Sequence, residues 1–156
     1  MRAVSESDYD RLGTDVDEVV TKASRTVELG RRGFVIAVLV FVLLVGQLLP
    51  WVGPHVGWQV LLGQGGGIPQ LFAVTSTVIG VLASALTLMT RRWWLSWVCA
   101  MGGWFASVDG LLAIWSQQSS VANGAIGRGP GIGMVIALVA TILLAAQWMR
   151  TAWSRT

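Results

Sequence analysis

Four apolar runs separated by short polar or glycine-rich connections set the pattern of this chain. The first, GFVIAVLVFVLLVGQLL, follows Arg31-Arg32 and stops at Pro50; the others occupy about 70–90, 93–115 and 132–149. At 1.5 Å rise per residue, a run of about 17 residues just reaches across a hydrocarbon core of roughly 30 Å. Only helices and closed barrels satisfy their backbone groups in lipid, and these segments are too long for strands. The pattern therefore predicts an all-α fold: a polytopic membrane protein whose residues 31–156 form an antiparallel bundle of four transmembrane helices, spanning about 33–50, 70–90, 93–115 and 132–149.

Residues 1–30 read differently. The first dozen show no periodic apolar pattern, which predicts disorder there. From Thr14, a candidate N-cap, Asp15, Asp17 and Glu18 fall in a first turn, and Val16, Val19, Val20, Ala23 and Val27 recur at helical spacing. An amphipathic helix over 14–29 is expected in a cytoplasmic N-terminal segment, lying on a membrane surface, docking a partner or packing on the protein's own loops. The long acidic stretch ahead of the first apolar run does not fit a cleaved signal peptide.

Charge fixes an expected orientation. Arg31, Arg32, Arg91, Arg92, Arg150 and Arg155 fall on one side of the predicted bundle and Arg128 on the other, so the arginine-rich side and both chain ends are expected in the cytoplasm at the cell membrane. The composition agrees with a lipid setting: 54% of the 156 residues are hydrophobic and 12% charged, with 9 tryptophans that mostly fall at predicted interfaces. Trp51, Trp58 and Trp148 read as such anchors, whereas Trp104 is expected to pack in a notch beside Gly103. No basic patch with interleaved aromatics reads as a nucleic-acid footprint, so no nucleic-acid partner is expected. Cys99 is the one cysteine, which excludes an intramolecular disulfide, a zinc–thiolate cluster and dithiol oxidoreductase chemistry.

Candidate chemistry centres on Asp109, the one acid beyond residue 30. A carboxylate inside a span is costly unless it faces the bundle interior, a cavity or a partner. It lies about six residues, roughly 9 Å, below the outer end of the third span. The second span brings Thr75, Ser76 and Thr77 to similar depth, so Asp109 with Ser76 and Thr77 forms a candidate ligand or proton-binding site; an interhelical hydrogen bond is the plainer reading. Ser76, Gly80 and Ser84 on one span, and Gly102, Ala106 and Gly110 on the next, form small-residue stripes that predict close packing of these two helices.

Two glycine-rich loops, around Gly63–Gly67 and Gly127–Gly133, lack the ending of a phosphate-binding loop and read as flexible connections. Arg128 ahead of the fourth helix is a candidate site for an anionic lipid head group. His55 has no second imidazole or neighbouring carboxylate, so no metal site or hydrolytic triad is expected, and no cofactor.

The run VFVLL with the following LLP, then GWQVL, LTRRW with SWV, AIWSQQ and the closing WMRTAWSR resemble an uncharacterised family of small four-span membrane proteins from mycobacteria and related actinobacteria. The resemblance covers about residues 31–155 and implies topology without implying an activity. The expectation that results is a non-enzymatic accessory or scaffolding subunit of a larger cell-envelope membrane complex, with membrane lipids and other envelope proteins as partners. The alternative is a small transporter or lipid-binding protein using Asp109 in the outer half of the bundle.

Overall fold

The computed structural model describes residues 6–124 and 129–154, with the side chains of 22–29 outside that description. The chain divides into two compact units, Met1–Val35 and Ile36–Thr156. Helix α1, Glu6–Leu48, contributes to both.

In the first unit, α1 starts eight residues ahead of the expected cap. Thr14 does not cap it: its hydroxyl donates to the carbonyl of Asp10 at 2.9 Å, a back-bond within a continuing helix. The expected disorder over the first dozen residues gives way to helix from Glu6 onward, residues 1–5 lying outside the described residues.

In the second unit, Pro50–Val52 (β1) and His55–Val56 (β2) form a small antiparallel hairpin turned through Gly53, whose φ is +55°. The short helix α2, Gly57–Leu61, follows; the Gln59 side chain accepts from the Val56 amide at 3.1 Å and so ties down its start. The next apolar stretch is one helical rod in three parts: α3 (Gly67–Thr75), a π-helical segment (Ser76–Ala83) and α4 (Ser84–Thr90). Arg91 ends it in a left-handed conformation, φ +52°, with its amide bonded to the Thr87 carbonyl at 2.9 Å. Helix α5, Trp93–Ala122, returns along the rod, and α6, Ile132–Trp153, completes the unit. The fold is all-α, with the two-stranded hairpin as a minor addition.

Four helical stretches, Gly30–Leu48, Gly67–Thr90, Trp93–Ala122 and Ile132–Trp153, are long and apolar enough to cross a membrane. The core of the second unit is built from Leu43 of α1, Phe72 of α3, alanines of α5 and α6, and Met134, Leu144 and Trp148 of α6. Small residues let the helices approach. A methyl group at Gly103 would strike Ala145 at 2.9 Å, and one at Gly133 would meet the Gly46 carbonyl at 2.8 Å.

The loop ahead of α6 is tied down at its described end. The Gly131 amide donates to the Trp51 carbonyl at 2.7 Å, Pro130 bridges to Val52, and a methyl group at Gly131 would collide with the Pro50 carbonyl. Gly131 and Gly133 are therefore sites of close backbone approach, where a flexible connection was expected. Arg128 and Arg155 lie outside the described residues.

Candidate functional site

The polar interior of the second unit is assembled by α1, the three-part rod and α5. Gln47, the next-to-last residue of α1, is buried and points its amide across to the rod, with Nε2 3.3 Å from Thr77 Oγ1 and 3.5 Å from Ser76 Oγ. Both hydroxyls donate to the Ala73 carbonyl, Thr77 at 2.7 Å and Ser76 at 3.2 Å, which leaves their lone pairs free to accept from Gln47. The other amide atom of Gln47, Oε1, is enclosed with no hydrogen-bond partner among the described residues.

Asp109 on α5 is 7% exposed, and its Oδ2 is likewise enclosed without a partner among the described residues. Its level follows from the register of α5 against the rod. A methyl group at Gly102 would meet Ile79 at 2.9 Å, and one at Gly110 would meet the Phe72 ring at 2.8 Å. The two helices are thus antiparallel, and Asp109 lies level with Phe72, about one helical turn, roughly 6 Å, from Ser76. Ser76 and Thr77 therefore have Gln47 as their side-chain partner, and no hydrogen bond joins them to Asp109 among the described residues.

The small-residue stripes are shared between neighbours in a way the sequence did not order. On the rod, Gly80 faces α1, since a methyl group there would press on Leu43 at 2.5 Å, and Ser84 faces α6, accepting from Trp148 Nε1 at 2.9 Å. On α5, Gly102 faces the rod, Gly110 faces both Phe72 and Leu138 of α6, and Ala106 is fully buried. The two stripes thus serve four interfaces of the bundle, where a single seam between the rod and α5 was expected.

The tryptophans divide by burial. Trp51, expected at an interface, is wholly buried, donates to the Gly46 carbonyl at 2.8 Å and stacks on Phe72 with ring centroids 5.2 Å apart. Trp148 is also interior, and Trp104, expected in a glycine notch, is 43% exposed. Cys99 is buried with its sulfur 3.2 Å from the Thr87 hydroxyl. His55 sits half-buried on β2. Among the described residues no group of three or more His, Cys, Asp or Glu side chains is placed to hold a metal ion.

Gln47 is the polar group that sequence reading missed. The signal was present, a single amide inside an otherwise apolar run, and a helix-spanning glutamine without a partner is as costly in an apolar setting as a hydroxyl is.

Comparison with known proteins places the chain elsewhere than its boundary motifs suggested. The family described as MiaB C-terminal domain matches residues 13–156. The chain is 39% identical over 159 aligned positions to a tRNA-2-methylthio-N(6)-dimethylallyladenosine synthase of Mycobacterium avium (strain 104), an alignment covering 96% of this chain and 22% of that protein. The chain thus spans about a fifth of the length of this relative. No solved structure matches it.

These findings correct several expectations. The resemblance to a family of small four-span membrane proteins gives way to the family matched over 13–156. The non-enzymatic accessory or scaffolding subunit, and the transporter or lipid-binding alternative, give way because the relative is named as a synthase. The exclusion of nucleic acid, and the partners in a cell-envelope complex, give way because that synthase is named for tRNA. Placement at the cell membrane with both ends in the cytoplasm, drawn from the arginine asymmetry, gives way to the same family finding. The boundary motifs misled because tryptophan–arginine edges report where apolar helices end, and carry no information about the chemistry that a helical domain serves. The chain belongs to the MiaB C-terminal domain family.

Proposed function

We propose that this chain works in the 2-methylthiolation of tRNA, as the C-terminal helical bundle that serves a tRNA-2-methylthio-N(6)-dimethylallyladenosine synthase. The observation that carries this reading is the 39% identity to such a synthase over 96% of the chain. Because the alignment takes in 22% of that protein, the bundle's part in the reaction is that of an associated domain, with most of the synthase's length lying outside it.

The bundle itself supports a finer reading of its fold, in which its four apolar helices cross a lipid bilayer. Phe41 on α1, Leu82 on the rod, and Phe105, Leu111 and Trp115 on α5 are each more than half exposed. Leaving a large apolar side chain in water in place of burying it costs about 1.5–3 kcal/mol. So many exposed together exceed what a water-facing domain ordinarily carries. Asp109, with its enclosed oxygen, and the Gln47–Ser76–Thr77 group are proposed as the polar interior sites of such a bundle.

Removal of the chain from its own host, followed by mass spectrometry of tRNA nucleosides, tests the function. The expected result is a fall in the ratio of 2-methylthio-N(6)-dimethylallyladenosine to its non-thiolated counterpart. An unchanged ratio refutes the reading. Extraction of vesicles carrying the protein at alkaline pH tests the fold: a bilayer-crossing bundle stays with the vesicles, and release into the supernatant refutes it.

A further inference from the structure

The first unit carries a surface that the bundle does not explain. On α1, Tyr9, Leu12, Val16, Val19 and Val20 are each 58–66% exposed. At about 100° per residue these positions gather on one stripe of the helix, and Tyr9, Leu12, Val16 and Val19 follow the alternating spacing of three and four that seats a helix against a partner. Acids edge the stripe on both sides: Asp8 and Asp15 on one, and Glu6 and, further round, Asp10 on the other. Residues 6–21 hold six acids against Arg11 alone, a net charge of −5.

That combination selects among occupants. A second copy of the helix would bring one acidic rim against another, and like charges facing each other across a helix pair are destabilising. A lipid surface is matched by a helix with basic, not acidic, flanks. A protein groove with apolar walls and a basic rim is complementary in both respects. Proteins that handle tRNA carry such basic surfaces because phosphate neutralisation supplies much of their affinity.

We infer that residues 6–21 form a docking helix whose acid-edged apolar stripe seats in a basic, apolar-walled groove of the tRNA-methylthiolating portion that this domain serves. The inference rests on the proposed function. It adds a contact face, a charge sense and named anchors: Leu12, Val16 and Val19 fill the groove, and Asp15 and Glu6 meet its rim.

The test places a benzophenone photo-crosslinker at Val19 of the full chain in its own host, with Thr14 on the opposite helix face as control. Crosslinking from position 19 to lysine- and arginine-rich peptides of the 2-methylthio synthase is expected, absent from position 14, and reduced about tenfold by Leu12→Asp or by Asp15→Lys with Glu6→Lys. Crosslinks to a second copy of the chain, to lipid, to some other protein or to nothing overturn the inference. The nucleoside ratio separates the two levels. If removing the whole chain lowers 2-methylthiolation while the Leu12→Asp variant restores it fully, the docking helix is refuted and the proposed function stands. If removing the chain changes nothing, the proposed function itself fails.

Discussion

Trp148 and Ser84 lie 64 positions apart in sequence, and the buried indole N–H of one donates to the hydroxyl of the other at 2.9 Å, joining α6 to the start of α4. Removing either partner has a different consequence. Ser84→Ala leaves the indole N–H enclosed and unsatisfied, which costs about 1–3 kcal/mol. Trp148→Phe removes the donor as well as part of the ring, and the lost packing adds to the lost bond. Denaturant unfolding of the two single variants and the double variant measures the coupling, expected at about 1 kcal/mol. Strict additivity would show that the bond contributes nothing.

Glycine substitutions should divide by what a methyl group meets. Gly131→Ala drives a methyl against the Pro50 carbonyl and is expected to destabilise by about 3 kcal/mol. Gly13→Ala has nothing within 4 Å and lies inside α1, so it is expected to stabilise that helix by about 1 kcal/mol. Thermal unfolding followed by circular dichroism checks both signs.

Asp109 offers a test of what its carboxylate does. Because Oδ2 has no partner among the described residues, Asp109→Ala is expected to leave the unfolding free energy within about 1 kcal/mol of the parent or to raise it. Phe72→Ala, which empties the stacked partner of Trp51 at the same level, is expected to lose about 3–5 kcal/mol. A loss at Asp109 comparable to that at Phe72 would establish a structural bond for the acid.

Cys99 reports on opening of the bundle. It is 1% exposed and contacts Thr87, so a maleimide reagent should label it slowly in the folded protein and at once after denaturation. Labelling in the folded protein at the rate of an exposed thiol would show that the α4–α5 contact is open.

Much of the helical layout was legible because it rests on long apolar runs and on arginine–tryptophan edges such as Arg91 to Trp94, whose signals are local. What escaped depends on residues far apart. The seat of Trp51 is defined by Gly46 and Phe72, and the close approach at Gly131 and Gly133 by the backbone of residues 46–51, none of which periodicity reveals. The stripes of Ser76, Gly80 and Ser84 were visible, but their neighbours on α1 and α6 were not, since one helix face can meet two partners. Gln47 does not ionise and so leaves no charge signal in the sequence, yet an uncharged amide carries its own cost when enclosed. The tie to tRNA modification left no mark in the candidate site residues and came through comparison alone.

The π-helical segment Ser76–Ala83 has a consequence for everything after it. Bonding to the fifth residue in place of the fourth widens each turn, so the segment acts as extra length absorbed without a loop, and it sets the rotational phase of α4. Were the segment to close into ordinary α-helix with the same number of residues, Ser84 and Thr87 would turn around the rod axis, away from Trp148 and Cys99 together. The wide turn is thus the timing element of the rod: two contacts with two different helices stay in step only while it keeps its count.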